Sequence, residues 1–315
     1  MRAGNDQDFL TGGDGIDTFF GQNGNDTLDG GSGDDVLVGG ANNDVMFGGI
    51  GDDRFLGGDG ADVHIGGEGF DIVTYGTSLA AITLNMNAPG AGAGDADSDS
   101  FAGIELIDGS NFDDNFIGDS GDIVFRGGTG ADTIDGGAGI EAVDFSGSAA
   151  VDVDMERAVQ EGGDAQGDVL LNIENVSGSN FDDDIVGDAQ DNRLRGRDGN
   201  DRLNGRAGND TLEGGAGRDT ITGGEGDDTI LGGEGNDVVA GNTGDDVIDL
   251  GAGNDRAVWR NGDGSDTVDG GEGYDTQMVH LAEDAANEVT ISADGDRTAF
   301  ERTNLGNFTL DLDVE

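Results

Sequence analysis

A nine-residue period constrains this chain more than any other feature, because internal repetition limits the fold before single residues are weighed. From Gly12 the sequence reads GGDGIDTFF, GQNGNDTLD, GGSGDDVLV, GGANNDVMF, GGIGDDRFL, GGDGADVHI and GGEGFDIVT, with no insertion as far as Thr74. The sixth position is always acidic: Asp17, Asp26, Asp35, Asp44, Asp53, Asp62 and Asp71, with Asp8 in the same phase before them. The eighth carries Leu10, Phe19, Leu28, Leu37, Met46, Phe55, His64 and Val73. The phase returns at Gly109, placing Asp114 and Asp132 at position six, and again at Gly178, placing Asp183 there. The longest array follows, through Asp201, Asp210, Asp219, Asp228, Asp237, Asp246 and Asp255. Trp259-Arg260 is a two-residue slip, after which Asp266 and Asp275 resume the spacing.

Composition alone points the other way. With 64 Gly, 5% aromatics and a net charge of -54 in 315 residues, the chain has the profile of a disordered polymer. Only the ordering of residues into a repeat defeats that reading. The charge excludes nucleic acid and anionic membranes as partners, since both require a basic face, and it favours cations. No apolar run is long enough to span a bilayer, so no membrane insertion is expected. Met1 to Asp6 lacks an apolar signal core. The absence of Cys is compatible with an extracellular fold in which metal replaces disulfides.

The pattern G-G-x-G-x-D-x-U-x, iterated from about Ala3 to Met278, resembles the repeats-in-toxin (RTX) family of hemolysin-type calcium-binding nonapeptides. The resemblance implies an all-β parallel β-roll, or β-solenoid. In it six residues turn, three form a strand, two repeats complete a coil, and calcium ions sit between coils. Elementary physics agrees. Only the middle residue of a three-residue strand points inward, so position eight builds a thin core between two sheets. With two repeats per coil, Asp17, Asp35, Asp53 and Asp71 stack on one edge and Asp8, Asp26, Asp44 and Asp62 on the other. Carboxylates about 4.8 Å apart repel by roughly 1 kcal/mol per pair even in water. A hard dication between them reverses the sign. Calcium suits flexible oxygen-rich turns better than magnesium, and the lack of Cys or clustered His argues against transition metals. The metal-site candidates are therefore the sixth-position aspartates named above, and the expected cofactor is multiple Ca²⁺.

The two interruptions are related to each other. Ile104–Asp114 and Ile173–Asp183 align, with Glu105 and Glu174 at position six and Ile107 and Val176 at position eight. Each interruption also holds one alternating strand, Ile82-Leu84-Met86 or Val151-Val153-Met155, and a Gly/Asp-rich surface loop (88–100, 161–168). The expected organisation is an array over 1–74, a coil with an excursion over 75–108, a short array over 109–144, a second such coil over 145–177, the longest array over 178–278, and a β-strand capping tail over 279–315. The tail reads as strands at 289–292, 298–301 and 308–312.

Several residues carry a functional and a plain reading. His64 stands at a core position and is expected to fill it; His280, alone in the tail, is read the same way. Asn192, Ile123 and Glu141 replace the sixth-position Asp. Asn192 can still offer a carbonyl oxygen, Ile123 cannot, and Glu141 fits the turn less well. Arg193, Arg195, Arg197, Arg202 and Arg206 read first as local neutralisation of the acidic ladder. Docking of an acidic partner or of a neighbouring copy is the second reading. No H-E-x-x-H, G-x-S-x-G, P-loop or Cys nucleophile occurs, so no enzyme activity is expected. The expected function is a calcium-binding structural module of an exported bacterial protein, secreted or at the cell surface, with any protein or cell-surface partner unspecified. The alternatives are a fragment of a larger RTX enzyme, toxin or adhesin, and an ice-binding solenoid. Against the last, only Thr220-Ile221-Thr222 shows the Thr-x-Thr form.

Overall fold

The computed structural model describes residues 1–88, 92–260, 263–280, 290–292 and 298–302. They form two units, Met1–Asp144 with Asp164–Ile173, and Phe145–Gly163 with Glu174–Glu315. Each is a parallel β-solenoid, as the repeat predicts. In the first unit one sheet runs through Thr18–Asn23, Val36–Ala41, Arg54–Asp59, Ile72–Thr74, Leu106–Asp108, Val124–Arg126 and Ala142–Asp144. The intervening repeats supply Phe9–Asp14, Thr27–Ser32, Val45–Ile50, Val63–Glu68 and Ser100–Ala102. A shorter sheet holds Thr83–Asn85, Asn115–Ile117, Thr133–Asp135 and Val169–Leu171. In the second unit, strands from Asn175–Ser177 to Thr290–Ser292 make one sheet, and strands from Asp152–Asp154 to Thr298–Arg302 the other.

Pairing is parallel and in register by two nonapeptides: Leu10 faces Leu28 and Phe19 faces Leu37. This register stacks position eight upon position eight. Phe19, Leu37, Phe55 and Val73 form one buried row, and Leu194, Leu212, Ile230 and Ile248 another. One inward side chain per repeat contributes about 1.5–3 kcal/mol, far less than the entropy of ordering nine residues. The core alone does not hold these coils.

Strands in the uninterrupted arrays span six or seven residues rather than the expected three, because positions two and three also pair between coils, as Gly13 with Gly31. The turn then needs a left-handed residue. At Gly217 φ is 139°, and a side chain there would run into the Gly199 carbonyl.

The interruptions differ from the expected single strand with a surface loop. Each holds a second strand, Ser100–Ala102 or Val169–Leu171, which joins the array. The loops are partly internal, since Ala96 and Ala165 are buried. In the tail, Thr290–Ser292 and Thr298–Arg302 pair in parallel with Thr267–Asp269 and Asp275–His280, so they continue the sheets of the second unit. The expected strand over 308–312 lies outside the described residues, as does the His280 side chain. No helix among the described residues is long and apolar enough to cross a membrane.

Candidate metal centre

The stacking register brings the sixth-position residues into rows along the coil edges, and each row is a hydrogen-bonded ladder. The Asp17 N–H donates to Asp35 Oδ1 at 2.7 Å, Asp35 to Asp53 at 2.8 Å and Asp53 to Asp71 at 2.9 Å. The same link joins Asp8, Asp26, Asp44 and Asp62 on the other edge. In the second unit Asp210, Asp228, Asp246 and Asp266 form one such row, and Asp183, Asp201, Asp219, Asp237, Asp255 and Asp275 another. Each carboxylate after the first of its row thus uses one oxygen to hold the backbone of the coil before it.

The other oxygen is left over. Oδ2 of Asp26, Asp35, Asp44, Asp53, Asp62, Asp71, Asp132, Asp201, Asp210, Asp219, Asp228, Asp237, Asp246 and Asp255 is buried without a hydrogen-bond partner. A buried carboxylate oxygen with no donor carries a penalty of several kcal/mol unless a cation meets it. The surroundings are oxygen-rich. A methyl group placed on Gly214 would lie 2.5 Å from both Asp219 Oδ2 and the Gly232 carbonyl oxygen, so the first-position glycine leaves a cradle between them. Gly21 does the same between Asp26 Oδ2 and the Gly39 carbonyl, both at 2.5 Å. Carboxylate and carbonyl oxygens converging on one space are the donor set of a hard divalent ion. Gly214→Ala should therefore raise the calcium concentration at which the protein folds, by an overpacking cost of about 1–3 kcal/mol. Gly13→Ala, whose methyl meets nothing within 4 Å, should not. Equal midpoints in a calcium titration followed by circular dichroism would contradict the cradle.

The ladder is not uniform. Asp114 and Asp183 use both oxygens locally: Oδ2 accepts the N–H of Ser110 or Ser179 at 2.7 Å, and Oδ1 accepts the same serine's hydroxyl. The coil before them offers Ile82 and Val151 at position six, whose N–H groups donate to the same aspartates. Asp8 and Asp17 open their rows and are only half-buried. Asn192 Oδ1 is taken by the Asp188 N–H at 2.8 Å, and Ile123 is a buried apolar residue in the row. Glu141 is buried at its row position, and Glu105 accepts the Asp71 N–H through Oε2 at 2.8 Å.

Two sixth-position residues escaped the sequence reading. Asp99 and Asp168 precede Ser100–Ala102 and Val169–Leu171, and accept the N–H of Asp62 and Asp132, each at 2.8 Å. Both are buried. They stand six residues before Glu105 and Glu174, so a nine-residue count passes over them. The local string Asp-x-apolar-x was the available signal. A second ladder was also missed. Position five, which varies among repeats, still links coils where it is Asp or Asn: Asp227 Oδ1 accepts the Asp245 N–H, and Asn209 Oδ1 accepts that of Asp227, both at 2.8 Å.

Burial is the main force on these carboxyls. It pushes Asp44 to about 6, Asp201 and Asp228 to about 7 and Asp62 to about 8, against the lowering effect of the N–H each accepts. Such a group binds more protons folded than unfolded. The fold without calcium is therefore least disfavoured below about pH 4 and loses that protection as pH rises through 6 to 8. Without calcium the chain is unfolded and its carboxyls titrate near 3.8, so the calcium midpoint of folding should stay nearly constant from pH 6 to 8 and rise as pH falls toward 4. A midpoint that moves strongly between pH 6 and 8 would mean that a folded, protonated, calcium-free state is populated.

The arginines are spent within the second unit. Arg195 Nε lies 2.7 Å from Glu213, which also pairs with Arg193, and Arg206 meets Asp154 at 2.9 Å. Arg202 lies 3.5 Å from Asp184, and Arg197 donates to Ser177 Oγ. Glu213, Asp154 and Asp184 stand outside the sixth-position rows, so these arginines neutralise acids beside the ladder rather than the ladder itself, each ion pair being worth at most about 1 kcal/mol where exposed.

Against known families, the model of the RTX calcium-binding nonapeptide repeat (four copies) matches residues 2–37, 38–73, 108–140, 177–212, 205–239, 222–257 and 262–277. These segments cover more than half of the chain, and the gaps fall on the two interruptions, the slip at Trp259-Arg260 and the tail. No curated protein matches at a significant level. With the solenoid, the stacked aspartates and this match together, the chain belongs to the RTX calcium-binding nonapeptide repeat family, whose repeats bind Ca²⁺ between coils.

Proposed function

We propose that the chain is the calcium-driven folding module of an exported bacterial protein, held unfolded where calcium is scarce and folded by it outside the cell. The observation that carries this reading is the file of buried Oδ2 atoms without hydrogen-bond partners, repeated on both edges of each solenoid. The proposed calcium ligands are the sixth-position aspartates of the sequence analysis that keep a spare oxygen, apart from Asp62, which shares its space with His64, and with Asp168 added, each assisted by turn carbonyls. Asp114 and Asp183 are left out, because serine already occupies their second oxygen. Extracellular calcium modules have dissociation constants of about 10⁻⁴–10⁻³ M, which separates cytosol from exterior. The role proposed is structural, with no reaction catalysed by these repeats.

Selectivity tests it. Millimolar Ca²⁺ should fold the protein, while Mg²⁺ at the same concentration should not, because Mg²⁺ keeps its water and demands near-octahedral geometry. Circular dichroism with each ion alone decides. Equal β-structure in magnesium would reduce the ladder to a diffuse charge sink and remove the export switch.

A further inference from the structure

At one step of one ladder the donor set changes. His64 is the eighth-position residue of the repeat that contains Asp62, and the strand Ser100–Ala102 lies directly on it. That strand brings Asp99 over Asp62. Asp62, His64 and Asp99 each offer a ligand atom, the three lie within 4.8 Å of one another, and all are buried. The cradle also changes composition. A methyl on Gly57 would meet Asp62 Oδ2 and, at 3.1 Å, His64 Cε1, an imidazole carbon where Gly21 and Gly214 meet a glycine carbonyl oxygen.

We propose that Asp62, His64 and Asp99 form a separate site for a borderline divalent cation of the zinc class, distinct from the calcium rows. Imidazole nitrogen is a poor ligand for calcium and a good one for zinc. His64 Nε2 stands 3.4 Å from Asp99 Oδ2, long for a hydrogen bond. It is close to the ~3.3 Å between donors around a tetrahedral ion with bonds of about 2.0 Å. Asp62 belongs to the same cluster and keeps a buried Oδ2 without a hydrogen-bond partner.

The surroundings hold these donors in place. The His64 ring stacks on Phe101 with centroids 5.3 Å apart and meets the edge of Phe55 at 5.8 Å. Asp99 accepts the Asp62 N–H at Oδ1 and the Tyr75 hydroxyl at Oδ2, both at 2.8 Å. Outer partners of this kind orient ligands in metal sites. Three protein donors are the number zinc takes when its fourth position goes to water or another oxygen.

The test uses the whole chain folded in millimolar calcium, its folding checked by circular dichroism before a second metal is added. Failure of calcium folding is thereby seen separately from failure of this site. Co²⁺, added after folding, should bind at one equivalent per chain. A visible absorption band of low-coordinate cobalt should appear, and Zn²⁺ should abolish it. His64→Leu should remove the band while calcium folding persists. Asp99→Asn, which keeps an oxygen for the Asp62 N–H, should weaken cobalt binding at least ~10-fold. Absence of stoichiometric cobalt binding, or binding unchanged in His64→Leu, would overturn the proposal and leave a buried His–Asp–Tyr hydrogen-bond group. If His64→Leu does not fold in calcium, Asp99→Asn decides, and unchanged affinity there also overturns it.

Discussion

Chelation of calcium should unfold this protein outright, with loss of the far-UV β signal and expansion toward the ~63 Å radius of gyration of an unfolded chain this long. The expectation follows from which forces act between coils. Phe19, Leu37, Phe55 and Val73 give one buried apolar side chain per repeat in their row, too little to order a glycine-rich turn. Backbone pairing adds hydrogen bonds, but each is worth only about 0.5–1.5 kcal/mol net. Against these stand rows of buried carboxylates, such as Asp35 over Asp53 over Asp71, whose second oxygens lack donors. Calcium converts each repulsive step into an attractive one, and its binding free energy becomes folding free energy. Small-angle scattering and circular dichroism in chelator and in millimolar calcium measure the change. A chelated protein as compact and as β-rich as the calcium form would refute this account.

Much of this was legible because a period of nine residues is a long-range constraint written locally. Once Asp17 and Asp35 share a phase, their stacking follows from the coil length, and the observed register between Phe19 and Leu37 is what that phase requires. The limits came where spacing changed without a change of role. Asp99 and Asp168 keep their places in the rows although the turns after them are three residues shorter than a nonapeptide gives. Asp114 and Asp183 keep the phase yet close their second oxygen on Ser110 and Ser179, because the coil before them presents Ile82 or Val151. His64 is buried at the core position that its phase gives. Its neighbour Asp99 was beyond reach, since 35 residues separate them and the strand that joins them lies past an irregular loop. Phase shows which positions recur; it does not show which coil an inserted segment lands on.

Asp228→Ala should raise the calcium midpoint of folding far more than Asp227→Ala, although the two are adjacent and carry the same charge. Asp228 is buried, accepts the Asp210 N–H through Oδ1 at 2.8 Å and keeps a buried Oδ2 for the ion. Its loss strands a buried backbone N–H, a cost of about 1–3 kcal/mol, and removes a proposed calcium ligand as well. In a fold where each coil contacts mainly its neighbours, the damage should centre on the coils of Asp210 and Asp246. Asp227 is not idle, since Asp245 donates to it across the coils. That bond is exposed, however, and water can replace the lost acceptor, so the cost should remain within about 0.5 kcal/mol. Calcium titrations of both variants, followed by circular dichroism, separate the two positions. Hydrogen exchange of the Asp210 amide adds a local reading, because it should lose protection in Asp228→Ala and keep it in Asp227→Ala. Equal shifts in the two variants would mean that total charge, rather than register, governs folding, and the ladder would lose its status as the calcium site.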